Sequence, residues 1–383
     1  MTATKSPGRS GVSPVPATSA TPGSPGLGVV SLNGAGDGIA YVARLLHRAC
    51  TEVWGGEPLL VELAPASPAG VTLAERSRFV ARVLASGVRG EPDWWIFNHL
   101  GIAQTQNWIP RPLRRPYAVF LNGIEVWDPA LAPSRRAALR NAALRISISY
   151  HTARRAAAIL PEIGEIVPCP LGLLPSLPPR DEEVDAALLE RISPESVLIV
   201  GRMSASERYK GHDQLIDCWP SVAERVPGAQ LVVAGRGDDV DRLRRRAAEA
   251  GVADHVLFAG FVSDATLHHL LRRTAAFAMP SRGEGFGLVY LQAMEAGIPC
   301  VGSTADAAGD IIVHGETGML VDPDDREALG EALVRLLRDR ELRGRMGEAG
   351  RRRFEAEFTF ERFRDRLVPI LARTFGTVGR RSG

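Results

Sequence analysis

An α/β fold with two parallel sheets is what this sequence predicts, on three observations. Short apolar runs alternate with stretches of helical periodicity along most of the chain, the pattern of a parallel sheet covered by helices on both faces. The alternation stops once, in a proline- and acid-rich stretch near the middle, and then restarts. Each half opens with a strand that runs into a glycine turn. A chain of 383 residues is also longer than one core usually serves. Two Rossmann-like domains facing a cleft are the expectation.

Residues 1–26 are mostly Ser, Thr, Pro, Gly and Ala, with little to bury, and read as a disordered tail. The N-terminal domain is predicted over 27–175. It opens on the strand Leu27 to Leu32, runs through the loop Asn33 to Gly38 and enters a helix from Ile39 to Cys50. Strands follow at Leu59–Leu63, Trp94–Phe97, Tyr117–Leu121 and Ile146–Ser149, and a helix from Leu73 to Leu84 carries Val80, Val83 and Leu84 on its buried face. Residues 176–195 read as a linker, because Pro175, Pro178 and Pro179 precede the acidic run Asp181-Glu182-Glu183. The C-terminal domain, 196–352, has predicted strands at Val197–Val200, Leu231–Ala234, Val256–Ala259, Ala276–Met279, Cys300–Val301 and Met319–Val321. Residues 353–375 end the fold with an amphipathic helix.

Composition narrows the function classes. A net charge of +2 gives no electrostatic footprint for nucleic acid. Cys50, Cys169, Cys218 and Cys300 are scattered, without the paired spacing of a zinc site or disulfide framework. Apolar runs stay below the ~18 residues that span a bilayer, and the N-terminus has no apolar signal core. A soluble cytoplasmic protein is expected.

The basic residues are the most uneven feature of the chain. Of 46, only Lys5 and Lys210 are lysine, and Lys5 falls in the tail. Lys210 stands just after the strand Val197–Val200, in Gly201-Arg202-Met203 … Tyr209-Lys210-Gly211. An ammonium on a flexible stem reaches a phosphate where a planar guanidinium does not fit. A second segment supplies amides: the strand ending at Pro280 runs into Gly283-Glu284-Gly285-Phe286-Gly287, and a helix from about Phe286 to Gly297 follows. Alternating glycines and a helix N-terminus suit an anion. The dipole alone supplies only ~0.3–1 kcal/mol when exposed, so a diphosphate there needs Arg202 and Lys210 as cations.

Gly201-Arg202, Lys210-Gly211, Gly235, Phe258-Ala259-Gly260 and Glu284-Gly285-Phe286-Gly287 occur in one order over about 196–350. In these segments the chain resembles the family-four group of retaining GT-B glycosyltransferases; the likeness of the N-terminal half is weaker. The resemblance implies a GT-B fold, with donor binding in the C-terminal domain and the acceptor on the N-terminal side. It implies that Arg202 and Lys210 hold the donor diphosphate with the amides of Gly285 and Phe286, and that Glu284 lies beside the transferred sugar. Gly201, Gly235, Gly287 and Leu288 complete the donor loops, and the segment from Phe258 to Phe261 borders the base. No bound metal and no cofactor beyond the nucleotide-sugar substrate are implied. Two positions depart from the family pattern. Gln292 stands where a glutamate usually contacts the donor ribose; an amide still bonds hydroxyls. Asn122 stands where relatives often carry histidine, and asparagine accepts no proton at neutral pH.

On the acceptor side, Gly36 and Gly38 match a glycine-rich loop of the family, although an ordinary strand-to-helix turn fits the same residues. His99 and His151 follow strands and line either the cleft or the core. Asp310 is a candidate helix cap. Asp322-Pro323-Asp324 imitates a metal motif, but its place between a strand and a helix favours capping. Arginine clusters at Arg111-Pro112-Leu113-Arg114-Arg115 and Arg135-Arg136 are solvated faces or a peripheral contact with an anionic membrane that presents a lipid-linked acceptor. The expected function is transfer of a sugar from a nucleotide-diphosphate donor to a glycan, glycolipid or natural product. The alternatives are a nucleotide-sugar-binding partner of another glycosyltransferase, or a nucleotide-sugar epimerase.

Overall fold

The computed structural model describes residues 23–33, 38–63, 71–175 and 184–376. The predicted tail up to residue 22, the acceptor-side glycine Gly36, and the acidic run at 181–183 lie outside them. Two six-stranded sheets, parallel throughout, make up the architecture. The first contains β1 (Pro25–Val29), β2 (Leu59–Glu62), β3 (Trp94–Phe97), β4 (Tyr117–Leu121), β5 (Leu144–Ser147) and β6 (Val167–Pro168), in the order β2-β1-β3-β4-β5-β6. The second contains β7 (Ser196–Val200), β8 (Gln230–Ala234), β9 (Val256–Gly260), β10 (Ala276–Ala278), β11 (Cys300–Ser303) and β12 (Gly318–Val321). Its order, β9-β8-β7-β10-β11-β12, is the 3-2-1-4-5-6 order of a dinucleotide-binding sheet.

The predicted elements differ from the observed ones at their ends. The first strand begins at Pro25, inside the stretch expected to be disordered up to residue 26, because Pro25 and Gly26 pair with Trp94 and Trp95 of β3. β6 went unpredicted; a two-residue strand containing a proline has no periodicity to detect. The predicted linker also needs correction in its second half. Ala186–Glu190 is a helix, capped by the Asp185 side chain, and it buries Leu188 and Leu189 against the C-terminal domain. The Asp185 N–H donates to the Thr266 hydroxyl at 3.0 Å, so this segment is part of that domain.

The interior strands β3 and β4 are apolar on both faces, as a sheet covered twice requires. Trp94, Trp95, Ile96 and Phe97 are all essentially buried. The last two helices, Arg340–Glu357 and Phe360–Phe375, split the expected final segment at Phe358. Helix Phe360–Phe375 lies on the N-terminal domain: Phe375 stacks on Trp94 with ring centroids 4.2 Å apart, and Arg364 pairs with Glu52 at 3.0 Å. The amphipathic pattern is physical in origin, since Phe360, Phe363, Leu367, Leu371 and Phe375 recur at helical spacing and are all buried. None of the helices among the described residues is long and apolar enough to cross a membrane.

Candidate functional site

Open parallel sheets hold ligands beyond the carboxyl ends of their strands, where the strand order reverses. In the second sheet that point lies between the neighbours β7 and β10. The Gly201–Lys210 segment leaves β7, and the Met279–Gly287 loop leaves β10. The two segments singled out by their residue types therefore emerge side by side.

They are joined closely. The Arg282 N–H donates to the Tyr209 carbonyl at 2.9 Å. Gly211, at φ 95°, packs so tightly on Pro280 that a Cβ there would come within 2.8 Å of it; only glycine meets both demands. Lys210 Nζ bonds Glu284 Oε1 at 2.7 Å, with the two side chains 15% and 18% exposed. Gly201 leaves room for the lysine stem, since a Cβ there would stand 3.2 Å from Lys210 Cδ. Burial works against the ammonium, but the Glu284 charge and hydrogen bond outweigh it and raise its pKa above the ordinary lysine value. The adjacent His212 is buried, which together with Lys210 pushes its pKa down to about 4. One positive and one negative group thus face each other in the cleft, with a neutral imidazole behind.

The amides are placed differently from expectation. The helix begins at Leu288, not near Phe286, with Gly287 as its cap in the left-handed conformation. The N–H groups of Gly285, Phe286 and Gly287 have no acceptor among the described residues. The Phe286 ring is core, edge-on to Phe358, so only its main chain is available to a ligand. Gln292 sits half-buried on the same helix, near Leu288. Gly285 reaches the other domain: a Cβ on it would fall 2.0 Å from the Asn122 carbonyl oxygen, and its carbonyl accepts the Thr152 hydroxyl at 3.2 Å.

Arg202 stands apart. Its side chain is 66% exposed and its guanidinium pairs with Glu207. The clamp of two cations expected from the sequence is, in this conformation, a lysine alone; arginine on an exposed loop found a local carboxylate first. In the segments expected to border the base, Gly235 follows β8 and its N–H donates to Gly260 at 2.7 Å. Phe261 is 60% exposed beneath the Arg236 guanidinium, 5.0 Å from the ring centroid. Phe258 instead lies under Arg244 of the covering helix.

In the N-terminal domain, Asn122 is committed: its Nδ2 donates to the Asn98 carbonyl at 2.9 Å, while its buried Oδ1 has no partner. His99 caps a short helix, accepting from the Gly101 N–H at 2.9 Å, and lines a 240 Å³ cavity with Phe79, Ile102 and Trp108. Gly38 opens the helix Gly38–Trp54. His151 turns inward with Nε2 unpartnered, edge-on to Trp127. Asp310 caps a helix of the opposite domain, accepting from the His151 N–H at 2.7 Å. The capping expected of Asp322 and Asp324 falls to Asp325; Asp324 pairs with Arg282.

Asp306, beside Glu284, was missed. Nothing in its local sequence distinguishes it from a loop aspartate, and only its burial does.

Residues 181–353 match the family described as glycosyl transferases group 1. A GDP-mannose-dependent alpha-(1-6)-phosphatidylinositol monomannoside mannosyltransferase of Mycobacterium tuberculosis is 36% identical over 169 residues, which is 42% of this chain and 44% of that protein. Its counterpart in Mycolicibacterium smegmatis is 31% identical over 233 residues, 58% of this chain and 61% of that one. The matches therefore span about half the length of these relatives. Sucrose-phosphate synthase of Thermosynechococcus elongatus superposes with a TM-score of 0.71 at 20% identity, covering 92% of this chain and 99% of that one. Anabaena HepE, solved with UDP and glucose, gives 0.68 at 17% identity over 91% of this chain and all of that one. At such identities the structures establish the fold, which is GT-B. Over residues 181–353 the chain is thus similar to the glycosyl transferases group 1 family.

Proposed function

We propose that the protein is a retaining glycosyltransferase that moves a sugar from a nucleotide-diphosphate donor to a glycan, glycolipid or natural-product acceptor. The observation that carries this reading is the Lys210–Glu284 pair, set beside amides without acceptors at the strand-order reversal of the second sheet. Lys210 and the amides of Gly285 and Phe286 take the diphosphate and stabilise the charge that develops on the leaving group, often the largest catalytic contribution. Glu284, released from part of its bond to Lys210, orients the sugar hydroxyls. Arg202 swings from Glu207 to complete the clamp, a short movement for an exposed side chain. The cationic role falls to these two residues, so the proposal uses no bound metal.

The names of the relatives make GDP-mannose the first donor to test. Retention rests on the family resemblance; no side chain among the described residues stands out as a covalent nucleophile, so the route is front-face attack with assistance to the leaving group. The test is turnover of GDP-mannose and UDP-glucose with a panel of lipid and sugar acceptors, reading the anomeric configuration of the product by NMR. Product with inverted configuration rejects the retaining mechanism.

A second reading draws on Asn122, which cannot accept a proton and whose amide N–H is already bonded to Asn98. On that reading the chain binds sugar nucleotide as the partner of another glycosyltransferase. Saturable donor binding with neither hydrolysis nor transfer across the panel favours it; any transfer rejects it.

A further inference from the structure

Behind the Lys210–Glu284 pair lies a carboxyl group that the donor reading leaves unused. Asp306 sits between β11 and the short helix Ala308–Ile311 and is 4% exposed. Its Oδ1 accepts from the Ala308 N–H at 2.9 Å, while its Oδ2 makes no hydrogen bond of full geometry. The neighbouring Ala307 N–H donates to the Glu284 carbonyl at 3.2 Å, which ties this loop to the main chain that carries Glu284. Below both lies Ser281, fully buried, whose hydroxyl accepts from the Gly283 N–H at 3.1 Å.

The surroundings are short of positive charge. Glu284 faces Asp306 from the β10 loop, and Tyr290 faces it from the helix Leu288–Glu295, with its hydroxyl given to the Met279 carbonyl. The Ser281 hydroxyl and the Glu284 main chain are near enough to favour the charged form slightly. Lys210 and the neutral His212 lie beyond Glu284. No cation pairs with Asp306 among the described residues. A buried carboxyl without a cation favours its neutral form; burial, opposed by the Ala308 amide and aided by the Glu284 charge, brings its pKa up to about 7.

We propose that Asp306 is a positioning residue for Glu284: its neutral carboxyl seats the Glu284 loop so that a single carboxylate faces Lys210. Its ionisation places a second negative charge behind the donor diphosphate and weakens binding. The inference rests on the donor reading of this site.

The test is calorimetric binding of GDP-mannose and UDP-glucose to the full chain from about pH 5.5 to about pH 9, across the window in which the shifted carboxyl titrates. The diphosphate of a sugar nucleotide is doubly esterified and does not itself titrate there. Affinity of the unaltered protein is expected to fall about tenfold through neutral pH, as one added like charge nearby produces. Asp306→Asn keeps a neutral group of the same shape and is expected to flatten the profile. Asp306→Ala loses the seat as well and is expected to weaken binding at every pH. A merely structural aspartate lowers the melting temperature in both variants and leaves the profile unmoved. An Asp306→Asn curve parallel to that of the unaltered protein overturns the proposal while the donor reading stands. If neither nucleotide binds the unaltered protein, the donor reading falls and this inference with it.

Discussion

Lys210 and Glu284 stabilise each other in a place suited to an anion, and the geometry makes each sensitive to loss of the other. Breaking a largely buried pair from one side leaves an uncompensated charge, at a cost of about 3–5 kcal/mol for full burial. Lys210→Ala is therefore expected to lower stability by up to about 3 kcal/mol, since both side chains keep some solvent contact, and to remove measurable sugar-nucleotide binding by calorimetry. Normal binding by that variant refutes the phosphate assignment. Two buried titrating groups near this pair act in opposite directions. The Asp306 carboxyl, raised to about 7 from 3.8, stays protonated in the folded state while the unfolded chain has released its proton, so its contribution to stability falls as pH rises across that range. His212, lowered to about 4 from 6.5, is neutral in the folded state while the unfolded chain holds a proton, so its contribution rises with pH over nearly the same window. Each state then carries one proton between the two groups, and the two slopes cancel between about pH 4 and pH 6.5. Asp306→Asn removes one side of the balance. Denaturant melts of that variant are expected to gain stability toward neutral pH with a slope of up to about 1.4 kcal/mol per pH unit. A slope equal to that of the unaltered protein refutes the assignment.

At the scale of elements, the site is made by loops that leave two adjacent strands, and glycine decides how near they come to other groups. Gly285 touches the N-terminal domain at Asn122, closely enough that an added methyl group would lie 2.0 Å from the carbonyl oxygen. Gly285→Ala is expected to push the donor loop away from Asn122 and reduce donor affinity at least tenfold. The global fold stays intact by circular dichroism, because the strands beneath are untouched. Donor affinity equal to that of the unaltered protein means that the loop does not need this approach. The glycine-rich run was legible in the sequence because its spacing is local. The start of the helix was not: Leu288 opens it, two residues beyond Phe286, because the Phe286 ring turns into the core instead of continuing the helical face.

At the scale of the whole molecule, the domains are joined by more than the covalent crossover. The terminal helix places Phe375 flat on Trp94, and the Leu173 N–H donates to Phe358 at 2.8 Å. From the other side, the Asp310 carboxylate caps a helix of the N-terminal domain at His151. Phe375→Ala is expected to cost about 3–5 kcal/mol and to detach the helix from the N-terminal domain, visible as rapid amide exchange beyond Phe360. Slow exchange there in the variant shows that the remaining apolar contacts hold the helix without the ring.

Spacing between near neighbours carries the α/β class, the two sheets, most strand positions and the glycine loops around Lys210 and Glu284, so each was legible in the residues alone. Tertiary structure decided which charges meet. Arg202 took Glu207 on its own loop and left the cleft to Lys210. Lys210 found Glu284 74 residues away, Asp310 found His151 across 159 residues, and Asp306 became a buried acid behind Glu284. Burial and pairing depend on groups distant along the chain, so no local pattern of residues carries them.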